Sequence, residues 1–254
     1  MSKDLKDSTK STMSAPAPAS TKPTPPAAES TKPEIAAFLD RVKSLGPASS
    51  SGGRGRLIFA LDATMSRQPT WDTACALQAD MFREAGASGG LDIQLVYFRG
   101  LDECGASSWV AQTEKLAALM TKIECRGGHT QIGKVLHHAM AETGRQRVQA
   151  LVFVGDAMEE SIDALCVRAG ELGLRGVPAF MFQEGHDANT ESAFREIARL
   201  TRGAYARFDQ GAAHELRELL RAVAAYAAGG MKALNDLSAR KDRGAQKLLA
   251  QLKA

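Results

Sequence analysis

The sequence predicts an α/β fold: a doubly wound, mostly parallel sheet flanked by helices, with one antiparallel edge strand. Three observations predict it. Short apolar runs of strand length alternate with segments whose apolar residues recur at helical spacing. The runs Leu57-Ile58-Phe59-Ala60-Leu61 and Leu151-Val152-Phe153-Val154 are continuous, as in strands covered by helices on both faces. Each run leads into an Asp, Asp62 and Asp156, at the carboxyl edge where open parallel sheets collect their ligands.

The elements follow in order. Residues 1–33 are Ser, Thr, Pro, Ala and Lys with almost no large apolar side chain, so they cannot offset their ordering entropy and form a disordered tail. Residues 34–53 make a short amphipathic helix, with Ile35, Phe38, Leu39 and Val42 on one face, and a linker after Gly46-Pro47. The α/β domain spans 54–228. Strand 57–61 opens it, and a helix from Trp71 to Ala85 follows, stopped by Gly86. Strand 91–98 comes next, then an edge strand near Cys104–Trp109 and a helix at Lys115–Ile123. Ile132, Leu136, Ala139 and Met140 mark a helix, 148–154 a strand, and Ile162 to Leu172 a helix. Strand 177–182, a helix through Phe194 and Ile197, strand 204–208 and a striped helix from Leu216 to Ala227 complete the domain. Gly229-Gly230 breaks the chain before a helical extension, residues 229–254, with its helix at 231–253.

Composition narrows the function. A net charge of +3 does not demand a nucleic-acid partner. The loose basic cluster Lys232, Arg240, Lys241, Arg243, Lys247 and Lys253 reads as a solvated helix face. Four cysteines, Cys75, Cys104, Cys125 and Cys166, lack any C-x-x-C spacing, and Cys75 and Cys166 read as small core residues. The N-terminus has no apolar segment of a secretory signal, and no apolar run nears the ~20 residues of a membrane span. A cytoplasmic location without membrane attachment is expected.

The chemistry concentrates in three places. Asp62-Ala63-Thr64-Met65-Ser66 sends a carboxylate and two hydroxyls out of one turn. Gly127-Gly128-His129-Thr130 delivers a third hydroxyl at a helix start, and Asp156 adds a second carboxylate. Hard oxygen donors suit Mg2+, or Mn2+ or Ca2+. If the two Asp-bearing strands are neighbours across the switch point, Asp62, Thr64, Ser66, Thr130 and Asp156 face one crevice.

That arrangement, D-x-T-x-S, then G-G-x-T, then G-D after an apolar strand, resembles the metal-ion-dependent adhesion site of von Willebrand factor type A (VWA) domains. The resemblance covers most of residues 56–228, with Thr64 where the family more often has Ser. It implies binding rather than catalysis. Thr64 and Ser66 ligate the ion, Thr130 ligates it in the partner-bound state, and Asp62 and Asp156 act directly or through water. An Asp or Glu of a partner protein fills the open position. Intracellular relatives of this type often work beside ring-forming AAA-type ATPases, which makes such an ATPase a candidate partner.

Other readings compete. Asp62, Asp156 and Thr130 could each cap a following helix. His129, Glu159 and His186 are candidates for a partner-binding rim, and the only candidates for the general base of a metal-dependent hydrolase. Glu184, His186 and Asp187 follow the strand ending at Phe182 and could also rim the crevice, but loop solvation or capping is the simpler reading. His137 and His138 lack the spacing of zinc ligands. Gly128 to Val135 nearly spells a phosphate-binding loop, but Val135 lacks the magnesium-binding hydroxyl and no strand precedes Gly128. An aspartyl phosphotransferase would want an acid at position 64, which is Thr. A metal-free scaffold of the same fold is the remaining alternative.

Overall fold

The computed structural model describes residues 54–70, 91–208 and 213–252. The expected tail, the helix at Ile35–Val42 and the helix at Trp71–Ala85 lie outside them. Six strands form one sheet: β1 (Gly55–Asp62), β2 (Leu91–Arg99), β3 (Glu103–Ala106), β4 (Ala150–Gly155), β5 (Ala179–Glu184) and β6 (Ala204–Phe208). Their order is β3-β2-β1-β4-β5-β6, and every pairing is parallel except β2 with β3.

The continuous apolar runs behave as strands buried on both sides. Leu57, Phe59 and Leu61 belong to one core layer, whereas Ile58 and Ala60 belong to the other. The first layer is covered by α1 (Thr113–Met120), α5 (Ala213–Ala239) and α6 (Arg243–Leu252), through residues such as Met120, Leu220, Val223 and Leu248. The second is covered by α2 (Ile132–Arg145), α3 (Ile162–Leu174) and α4 (Ala188–Thr201), through Leu136, Leu165 and Phe194 among others. Phe153 stacks on Phe98 and meets Phe194 edge-on, tying three elements of that layer together.

Two elements differ from expectation. The edge strand ends at Ala106 rather than Trp109. At Ser107 side chains interrupt the ladder: the Ser107 amide still donates to the Leu95 carbonyl, but the Leu95 amide donates to the Ser107 hydroxyl and Gln94 Nε2 to the Ser107 carbonyl, and backbone pairing returns as a lone bridge between Ile93 and Val110. The segment 231–253 is two helices rather than one. Gly230 kinks α5 with φ 64° and ψ −158°, a conformation that needs glycine. Lys241 then turns the chain in the left-handed region, and buried Asp242 caps α6 by accepting from the Ala245 amide at 2.8 Å. Periodicity alone runs through this break, because the cap is one polar residue among many. Cys166 is only partly buried; among the described residues the cysteine buried in the core is Cys125, and Cys75 lies outside them. Among the described residues no helix is long and apolar enough to cross a membrane.

Candidate functional site

Strand order reverses at β1. The hairpin β2–β3 lies on one side of it, and the chain returns through α1 and α2 to place β4 on the other. β1 and β4 run parallel with Leu61 opposite Val154, so Asp62 and the Gly155-Asp156 turn emerge together at the carboxyl edge. The contact is close: a Cβ on Gly155 would sit 3.4 Å from the Asp62 Cβ.

The turn after β1 is pinned from both sides. The Ala63 amide donates to the Phe98 carbonyl, and the Arg126 amide donates to the Ala63 carbonyl, each at 3.0 Å. Asp62 is fully buried. Its Oδ1 accepts from the Thr64 amide at 2.8 Å, and the Thr64 and Ser66 hydroxyls lie 3.0 Å apart. One chain of hydrogen bonds thus links Asp62, Thr64 and Ser66. Thr64 is buried beside it, and Ser66 opens to solvent.

Thr130 arrives from a separate element. The glycine turn packs directly on the end of β2, where a Cβ on Gly128 would lie 1.9 Å from the Gly100 carbonyl oxygen. The His129 amide donates to that carbonyl, and Gln131 Nε2 donates to the Arg99 and Gly100 carbonyls. Thr130 is therefore fixed, buried, on the loop fastened to the strand next to β1.

None of the three is a simple helix cap. Asp62 accepts from an amide of its own turn, and the helix after β4 is capped by Ser161, not Asp156. The Thr130 hydroxyl accepts from the Glu159 amide at 2.9 Å instead of from α2. The start of α2 is satisfied by carboxylates from the loop after β4. Glu159 accepts from the Thr130 amide, and Glu160 accepts from the Ile132 and Gly133 amides at 2.5 and 2.9 Å. Burial pushes the Glu160 carboxyl above its ordinary range, and those two amides pull it partly back.

The donor set fits a divalent cation. Asp62 Oδ2 and Asp156 Oδ1 are buried and accept no hydrogen bond among the described residues. Such carboxylates call for a cation or a proton. Burial pushes the Asp62 carboxyl up to about 6; Thr64 pulls it down by hydrogen bonding, and the Asp156 charge pushes it up. Two carboxylates and three hydroxyls offer hard oxygen, the chemistry of Mg2+ and Mn2+. Among the described residues no group of three His, Cys, Asp or Glu could hold a metal ion, so a cation here would need the hydroxyls as ligands. Cys125 lies within electrostatic reach of both Asp residues, but burial pushes its thiol up to about 11, so it offers no thiolate.

The rim residues divide. His129 Nδ1 and Glu159 Oε2 lie 3.2 Å apart, both exposed. His186 follows Gly185 at the end of β5, exposed and without a hydrogen bond to that pair. His138 faces away from this chemistry in a 2.8 Å contact with Gln94. Helix α1, rather than a strand, precedes the glycine turn, as expected if no nucleotide loop is present. Glu160 and Arg67 escape the sequence reading, and Glu184, read there as a loop or capping residue, is instead the last residue of β5 and pairs with Arg67. Arg67 pairs with Glu184 while fully buried, and a charged residue in a polar turn carries no sign that it will point inward.

No family model matches the chain, and no curated protein matches it. Solved structures do. A von Willebrand factor type A structure from Catenulispora acidiphila superposes with TM-score 0.56 at 16% identity, over 68% of this chain and 43% of that one. The SpRpn10 VWA domain gives 0.52 at 13% identity, over 61% and 88%. The pilus adhesin SpaC from Lactobacillus rhamnosus GG gives 0.58 at 9% identity, over 73% and 31%. The sheet order and the two helix layers define an α/β protein with its cleft at the β1/β4 switch point. The chain has the von Willebrand factor type A fold.

Proposed function

We propose that this protein is a divalent-cation-dependent interaction module that binds an acidic residue of a partner protein. The carrying observation is the pair of buried carboxylate oxygens on Asp62 and Asp156 that have no partner among the described residues, at the tips of adjacent strands and beside the linked hydroxyls of Thr64 and Ser66. Asp62, Thr64, Ser66, Thr130 and Asp156 would hold Mg2+, Mn2+ or Ca2+. A bound ion with few carboxylate ligands keeps Lewis acidity toward an external carboxylate.

The chain's own residues prepare that step. The Thr64 amide orients Asp62 through Oδ1 and leaves Oδ2 for the cation. The Glu159 amide occupies one lone pair of the Thr130 hydroxyl and leaves the second. His129 and Glu159 stand exposed beside it, as a polar rim that a partner can meet. A magnesium-rich cytoplasm with reduced thiols is the compartment that suits this chemistry.

The test is affinity capture of partners in Mg2+ and in chelator, with Asp62→Ala as control. The reading predicts a partner retained in Mg2+ only. Its retention should fall about tenfold or more in the variant, the scale on which metal-supporting groups are felt. Equal capture in chelator would contradict it.

A further inference from the structure

Arg67 follows Ser66 in the 3-10 turn Met65–Thr70, and its side chain is 0% exposed. Arginine is almost never fully buried unless paired. Its partner is Glu184, the last residue of β5, with a side chain 11% exposed. β4 lies between β1 and β5. The arginine thus reaches from the tip of β1 to the tip of β5, across the edge where Asp62 and Asp156 emerge. Its charge acts on both Asp62 and Cys125. The same cleft therefore contains two site carboxylates and a covalently attached cation.

We infer that Arg67 is a resident counter-cation of this cleft: anchored by Glu184, it supplies Asp62 and Asp156 with part of the positive charge an ion would bring, so the cleft folds without the ion and holds it weakly. The inference rests on the metal-site reading above. A guanidinium is always charged and planar. It can offset the carboxylates, yet it cannot gather five oxygens around itself as a small ion can. A doubly charged ion entering the cleft meets its repulsion, and at a partly screened separation this costs on the order of tenfold in affinity or more. Glu184 holds the arginine in place rather than letting it swing to solvent.

Mn2+ binding by calorimetry and thermal unfolding in chelator test this on four proteins: wild type, Arg67→Met, Arg67→Lys and the double variant Arg67→Met/Glu184→Gln. The double variant leaves no orphaned glutamate, so it decides the matter if Arg67→Met does not fold. The expected result is Mn2+ affinity raised about tenfold or more in the Met variants, with lower melting temperature in chelator and a larger rise on adding Mn2+. Arg67→Lys should stay near wild type, because the charge is kept. Equal or weaker Mn2+ affinity in the Met variants overturns the inference, as does a Lys variant that binds as tightly as Met. If all four bind Mn2+ alike, the metal site stands and the role of Arg67 falls. If none binds, both fall.

Discussion

Asp62 carries the densest chemistry in the chain. It is fully buried, one oxygen is bonded to the Thr64 amide, and the other has no partner among the described residues. Burial raises its carboxyl from 3.8 to about 6. A folded-state pKa above the unfolded one means the native chain binds more protons between those values. Stability of the metal-free chain is therefore unaffected below about pH 4 and falls as pH rises through 6, by about 3 kcal/mol in all. In chelator, the melting temperature should decline over this range, and Asp62→Asn should flatten the decline; an unchanged slope in that variant would place the titration elsewhere. Asp62, Thr64 and Ser66 were legible in the sequence because three oxygen donors at alternate positions after an apolar run are uncommon. Arg67 was not, and Glu184 read as a loop or capping residue, since nothing in a charged residue's neighbours says that it will pair with a partner more than a hundred positions away.

At the scale of elements, the site depends on how its loops are fastened. The glycine turn before α2 touches the end of β2 so closely that any Cβ on Gly128 meets the Gly100 carbonyl. Gly128→Ala should shift Thr130, cost about 1–3 kcal/mol as overpacking does, and weaken Mn2+ binding while leaving the far end of the sheet intact. Hydrogen exchange would check it: faster exchange confined to α2 and the end of β2 is expected, and a wild-type pattern would contradict it. Glu160 gives α2 its missing caps from another loop, accepting from Ile132 and Gly133. Glu160→Ala should fray that first turn at a cost of about 1 kcal/mol, the usual value of a lost cap, read as a lower melting temperature. Helix and strand positions were legible from period and punctuation. The caps were not, because their partners come from a different loop and spacing records only neighbours along the chain.

Over the whole molecule, the sheet order places both Asp-bearing strands side by side, and this depends on the two apolar faces of the strands being covered separately. The C-terminal helix helps to cover one of them. Leu248 and Leu249 of α6 share a core cluster with Leu57, Phe59 and Leu220, and Gln251 bonds both the amide and the carbonyl of Tyr205 on edge strand β6. The sequence presents this segment as an extension after Gly229-Gly230; in the fold it belongs to the core and shields an edge that could otherwise pair with other chains. Leu248→Ala should cost about 2–5 kcal/mol, and urea unfolding should show a single transition shifted to lower midpoint; an unshifted midpoint would mean α6 is only an appendage. Metal affinity should not change, since α6 docks on α5 and β6 and no hydrogen bond joins it to the site residues at the tips of β1 and β4 among the described residues.

The claim on which these statements converge is that the tips of β1 and β4 share one cation. Anomalous diffraction from crystals soaked in Mn2+ tests it most directly. A peak at bonding distance from the Thr64 and Ser66 hydroxyls, beside Asp62 and Asp156, is the predicted result. Crystals with no Mn2+ peak between those two carboxylates, in a chain whose Asp62 and Asp156 are unaltered, would contradict it.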